Sequence, residues 1–261
     1  MIGIVDSGIG GLTVVKAIRE LMPHYDLLYF GDTARTPYGP KSAATITQFA
    51  VQNIEFLLNQ GAGLIVVACH TAAAVAGDAV LEKCGIPLID IVSPAAELAL
   101  RTSRSLHLGV IGTQATVQSR AYPRKVAALN PKARVFTSAC PLLVPLVEAG
   151  WLKKPETVMI VKKYLYPLKV RQIDTLILGC THYALLAGMI QRKIGRQVKI
   201  IDAAHAVAHA VRKFLETHPE VDGQLPRQGD LKLMVSDVTD QCQKIAGIIM
   251  QKKVKLESIR H

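Results

Sequence analysis

The chain is 261 residues long, half of them hydrophobic and only 5% aromatic, and it carries a formal net charge of +11. A chain of this length and apolar content buries a substantial core, which excludes intrinsic disorder. Its apolar runs stop at about strand length, short of the roughly 20 residues of a membrane-spanning helix, so no membrane partner is expected.

Residues 2–5 read as a strand that opens the chain directly, with no basic leader ahead of it. A helical pattern over Leu12–Leu21 follows, then a strand at 27–30 that leads into a polar loop. A third strand, at 64–68, runs into a helix from 72 to 81. Further strands are expected at 87–92, 106–111, 134–137, 175–178 and 199–201, several with a helical run behind them. Strands alternating with helices build parallel sheets, which bind ligands at the carboxyl ends of their strands. Lys and Arg are scattered over the helix faces and are densest in the tail from 251 to 261, the pattern of a solvated surface. No aromatic residues interleave with them as a stacking platform, so nucleic acid is not an expected partner.

Two segments can be laid side by side. Ile65-Val66-Val67-Ala68-Cys69-His70-Thr71 matches Leu176-Ile177-Leu178-Gly179-Cys180-Thr181-His182: an apolar strand, a cysteine, then a Thr/His pair. Gly3-Ile4-Val5-Asp6-Ser7-Gly8 similarly matches Gly109-Val110-Ile111-Gly112-Thr113-Gln114. The expectation is an α/β chain of two similar, doubly wound parallel-sheet halves, with a site between them and one thiol on each side.

That geometry suits inversion of a stereocentre. A proton must leave one face of an α-carbon and another must arrive on the opposite face, so two facing acid–base groups are the economical arrangement. A thiol titrates near pH 8.5 unperturbed, and a strand tip entering a helix N-terminus favours its thiolate. Cys69 and Cys180 both occupy such positions. Cys84, Cys140 and Cys242 read as small core residues. Five cysteines, odd in number and without Cys-x-x-Cys spacing, argue against a disulfide framework or a zinc ribbon; no metal is expected, and a reducing cytoplasm is the expected location. His182 stands where it can exchange a proton with Cys180 or with substrate. Asp6 has two readings of equal weight: a group that binds an ammonium or assists a cysteine, and a turn or cap residue. The run Gly8-Ile9-Gly10-Gly11-Leu12-Thr13 lacks the third glycine of a dinucleotide loop, and reads as a tight turn baring N–H groups near a carboxylate.

These motifs resemble the glutamate racemases of the aspartate/glutamate racemase superfamily. The likeness is carried by Asp6-Ser-Gly-Ile-Gly-Gly-Leu-Thr13, Tyr29-Phe-Gly-Asp-Thr-Ala-Arg35, Pro37-Tyr-Gly39, Val67-Ala-Cys69, Gly109-Val-Ile-Gly-Thr113, Ala139-Cys-Pro141, Val144-Pro-Leu-Val-Glu148 and Leu178-Gly-Cys-Thr-His-Tyr183. The resemblance implies cofactor-independent interconversion of L- and D-glutamate, supplying D-glutamate for peptidoglycan, cell-wall biogenesis and cell shape. It implies that Cys69 handles the α-proton of D-glutamate and Cys180 that of L-glutamate, with Asp6 and His182 as their auxiliary groups. Ser7, Tyr38, Gly39, Thr71, Thr113, Thr116, Glu148 and Thr181 match positions that bind substrate or shape its pocket. It further implies a homodimer and two domains: residues 1–94 with 206–261, carrying Cys69, and residues 95–205, carrying Cys180. His70 departs from the family, which usually has asparagine there. A larger residue, titratable near neutrality, is expected at the substrate's amino-acid end. That departure keeps two alternatives open: a racemase of aspartate or another amino acid, and a racemase-like binding protein without activity.

Overall fold

The computed structural model describes residues 1–259, apart from the side chains at 78 and 80–83. The first half of the chain alternates β1 (Ile2–Asp6), α1 (Leu12–Leu21), β2 (Leu27–Gly31), α2 (Ala43–Asn59), β3 (Leu64–Val67), α3 (His70–Cys84), β4 (Leu88–Asp90) and α4 (Val92–Thr102). The second half repeats the plan with β5 (His107–Gly112), α5 (Gln114–Gln118), α6 (Ala121–Leu129), β6 (Arg134–Ala139), α7 (Leu143–Glu148), α8 (Pro155–Val170), β7 (Thr175–Gly179), α9 (Ala187–Ile194) and β8 (Lys199–Ile201). The chain then adds α10 (Ala203–Thr217), α11 (Pro219–Asp222), β9 (Leu231–Val235), α12 (Asp240–Met250) and β10 (Glu257–Ser258).

Two sheets result, one ordered β10-β9-β2-β1-β3-β4 and the other β6-β5-β7-β8. Among the described residues every strand pairing is parallel. The run β2-β1-β3-β4 has the same order as β6-β5-β7-β8, so β3 and β7, the strands that lead into Cys69 and Cys180, hold equivalent places. Strands β1, β2, β3 and β7 are buried along their whole length, which is why their sequences are continuous apolar runs rather than alternating ones.

One core joins the halves. Ile2, Ile4, Leu64 and Val66 of the first sheet share a cluster with Leu108, Val110, Ile177 and Ile201 of the second. The bridge is α4 and α10, whose Ala95, Ala96, Ala99, Val207 and Val211 are buried in the same cluster. Three alanines on one α4 face keep that helix close to both sheets. Burying Val207 and Val211 stabilises the junction by about 1.5–3 kcal/mol each. A second cluster lies under α7, α8 and α9, and a third covers the other face of the first sheet.

The strands expected from the sequence all form, within one or two residues at their ends. Beyond them the C-terminal segment contributes β9, paired with β2, and β10, paired with β9. The basic tail is therefore only partly free surface: Leu256 is buried and Glu257–Ser258 extend a sheet edge, while residues 260 and 261 lie outside the described part. No helix in the described residues is long and apolar enough to cross a membrane.

Candidate active site

The glycine-rich turn after β1 wraps the chain's own carboxylate. Asp6 Oδ2 accepts the backbone N–H groups of Gly8 at 3.2 Å and Gly11 at 3.0 Å. A Cβ at Gly11 would stand 2.5 Å from Asp6 Cβ, so only glycine admits that approach. The turn role foreseen for Asp6 is thus present. Its other oxygen accepts from Thr181 Oγ1 at 3.4 Å, a link between the halves. Burial raises the Asp6 pKa, against the pull of His182 and the two N–H donors.

Cys69 lies two residues beyond the end of β3 and caps α3. Its sulfur accepts the Ala72 N–H at 3.4 Å, and its S–H donates to Ser7 Oγ at 3.2 Å. The helix start was expected to favour thiolate, but burial and the neighbouring Asp6 outweigh it and push the thiol up to about 12. Cys69 therefore holds its proton as a thiol.

Cys180 follows β7, the equivalent strand, and its sulfur lies 3.9 Å from His182 Nδ1. Burial opposes charge on His182, yet Cys180, Glu148 and Asp6 together lift its pKa to about 10. His182 Nε2 sits 3.3 Å from Glu148 Oε1, within ion-pair reach; the approach misses hydrogen-bond alignment, and the buried nitrogen has no hydrogen-bond partner. Glu148, at the end of α7, also accepts from Thr36 Oγ1 at 3.3 Å.

The remaining walls are tied down from behind. Thr71, Thr113 and Thr116 form a triangle of hydroxyls 2.9–3.1 Å apart that fastens α3 to the start of α5. The Tyr38 hydroxyl donates to Asp32 and accepts from Asn53 at 2.9 Å. Asp32 also takes Arg35 Nε at 2.6 Å and the Ser236 hydroxyl at 3.1 Å. A Cβ on Gly39 would lie 2.7 Å from Thr113 Cβ, so that wall closes only with glycine. His70 differs from its expectation. Its Nδ1 is 2.7 Å from the Tyr122 hydroxyl, and burial drives its pKa down to about 3, so it is neutral throughout the physiological range.

Both thiols line one cavity of about 10 Å³, together with Ser7, Tyr38, Gly39, His70, Thr71, Thr113, Thr181 and His182. That space holds about one water, less than an amino acid fills. Asp6, Thr116 and Glu148 stand one layer behind, reaching the cavity through Thr181, through Thr71 and Thr113, and through His182. Thr36, Pro37 and Val144 also line it and were not foreseen as site residues. Their signal was position: Thr36 falls between two recognised stretches, and the other two lie inside recognised stretches. Cys84, Cys140 and Cys242 are buried as expected. Among the described residues no group of His, Cys, Asp and Glu is arranged to hold a metal ion.

Two thiols at equivalent strand ends, enclosed with a histidine and a set of hydroxyls, define an acid–base site placed between matched α/β halves. The profile of the Asp/Glu/Hydantoin racemase family matches residues 12–211. A glutamate racemase of Syntrophus aciditrophicus is 44% identical over 94% of this chain and 90% of its own length. The crystal structure of glutamate racemase isoform RacE1 from Bacillus anthracis superposes with a TM-score of 0.93 at 34% identity, covering 99% of this chain and 97% of that one. The Francisella tularensis glutamate racemase, solved in complex with D-glutamate, gives 0.91 at 34% identity, covering 99% and 96%. The chain belongs to the Asp/Glu/Hydantoin racemase family, on its glutamate racemase branch. It is an amino-acid racemase, an isomerase.

Proposed function

We propose that the chain interconverts L- and D-glutamate by proton transfer between Cys69 and Cys180, without a cofactor. The reading rests above all on one observation: both thiols line the same closed cavity from equivalent strands of the two halves. In the L-to-D direction the Cys180 sulfur, as thiolate, takes the α-proton, and the Cys69 thiol gives its proton to the opposite face. The products are D-glutamate, a Cys180 thiol and a Cys69 thiolate; the reverse reaction restores the starting state. The resting site supports this polarity, because Cys69 is pushed up to about 12 and holds its proton. A charged His182 beside Cys180 is the partner for a negative sulfur.

The α-proton is weakly acidic, so the developing carbanion needs fixed donors in a water-poor space. In this reading Ser7, Thr71, Thr113 and Thr181, which line the cavity beside Tyr38, Gly39 and His70, supply them, with Asp6, Thr116 and Glu148 supporting from behind. Supply of D-glutamate for peptidoglycan, in the cytoplasm and as a homodimer, completes the reading. The test is a circular-dichroism assay of both enantiomers of glutamate and aspartate with purified, reduced protein. Racemisation of glutamate well above aspartate supports it; aspartate preference, or no turnover of either, refutes it.

A further inference from the structure

The α8 helix has two contrasting faces. Thr157, Val161, Leu165 and Leu168 are buried in the core of the second half. On the opposite side Met159, Tyr166 and Val170 are 65%, 65% and 63% exposed. Their spacing of seven and four residues places them on one line along the helix. Lys162, Lys163 and Lys169, all exposed, stand on or beside that line. Between 153 and 171 the charged residues are Lys153, Lys154, Lys162, Lys163, Lys169 and Arg171 against the single acid Glu156. Trp151, just before the helix, is also exposed.

We propose that this face of α8 adsorbs to an anionic lipid surface, with Met159, Tyr166 and Val170 entering the headgroup boundary and the lysines meeting the lipid charges. An apolar stripe flanked by lysines, with an aromatic at the end, is the pattern of an interfacial helix. A second copy of the chain would set lysine against lysine, which disfavours self-association through this face. A nucleic-acid backbone would use the charges and leave the apolar stripe without a role. The expectation that there is no membrane partner rested on the absence of a spanning segment, and adsorption needs none. The surface lies outside the catalytic cavity, so it stands whatever the substrate.

The test is co-sedimentation of the full chain with phosphatidylcholine vesicles containing 30% phosphatidylglycerol, against phosphatidylcholine alone. The expected result is binding to the anionic vesicles only, weakening as salt rises. At the ~1 kcal/mol that each basic residue gains near such a surface, a K162E/K163E/K169E variant binds at least about 100-fold more weakly. M159S/Y166S weakens binding with the charges intact, and racemisation in solution is unchanged in both. No binding to anionic vesicles overturns the proposal, as does binding that neither variant weakens. It is equally overturned if the variants abolish only binding to duplex DNA, or only a concentration-dependent self-association seen by ultracentrifugation.

Discussion

Replacing Glu148 with glutamine removes the carboxylate facing His182 while keeping the side chain's size. Unit charges 3.3 Å apart interact by about 5 kcal/mol at an effective dielectric near 20. The Glu148 side chain is 30% exposed, so water screens part of this. The expected fall in the His182 pKa is about 1–3 units, the range for one adjacent opposite charge. His182 then titrates at roughly 7–9 instead of about 10. Because a charged His182 is the partner of the Cys180 sulfur, activity toward L-glutamate is lost as pH rises through this pKa. The alkaline limb of kcat/KM, which reports the free enzyme, moves down by those 1–3 units, and near pH 6 the two enzymes converge. Stability follows the same sign. A histidine pKa raised by folding contributes stability that is fully present below its unfolded value near 6.5 and is lost as pH rises through the folded value. The Glu148→Gln melting temperature therefore falls furthest below that of the parent near pH 6, where His182 is charged in both proteins, and the gap closes as pH rises toward the parent's value of about 10. Racemisation followed by circular dichroism from pH 6 to 10.5, with thermal melts over the same range, measures both. An unmoved alkaline limb would refute the assigned role of Glu148.

Three further outcomes follow from the walls of the site. His70→Asn leaves the shape of the pH–rate curve between 5 and 9 unchanged, since His70 is already neutral there; it costs about 1–3 kcal/mol of stability by orphaning the buried Tyr122 hydroxyl, read by urea denaturation. Gly39→Ala forces a Cβ against Thr113 and lowers kcat/KM by at least about tenfold, as a misplaced wall spoils substrate alignment, while the circular-dichroism spectrum stays that of the parent. Ser236→Ala removes a hydroxyl that accepts from Ala34 N at 2.9 Å and donates to buried Asp32 at 3.1 Å. It costs about 0.5–1.5 kcal/mol and raises KM more than it lowers kcat, because it loosens the 32–39 wall and leaves the thiols in place.

What could be read in the sequence was what local chemistry dictates. Buried parallel strands are written as apolar runs, so Leu64–Val67 and Thr175–Gly179 stood out, and the cysteine and threonine/histidine pair after each marked the site. What escaped depended on contacts distant in the chain. Leu231–Val235 is a five-residue run with Lys232 inside it, and becomes a strand only by pairing with β2, some 200 residues earlier. Ser236 carries no motif; its role arises because that pairing brings it to Asp32 and Ala34. The charge states were the least legible part. A helix N-terminus argued for thiolate at Cys69 and a free imidazole argued for titration of His70, but burial reverses both.

The most direct measurement of the two-thiol account compares Cys69→Ala, Cys180→Ala and the parent for conversion of each glutamate enantiomer in deuterated solvent. The account predicts that each alanine variant, folded like the parent, loses racemisation in both directions by about 10²–10⁴-fold, the weight of one positioned acid–base group. Either variant racemising at the parent's rate, with deuterium entering the α-position as before, would contradict it.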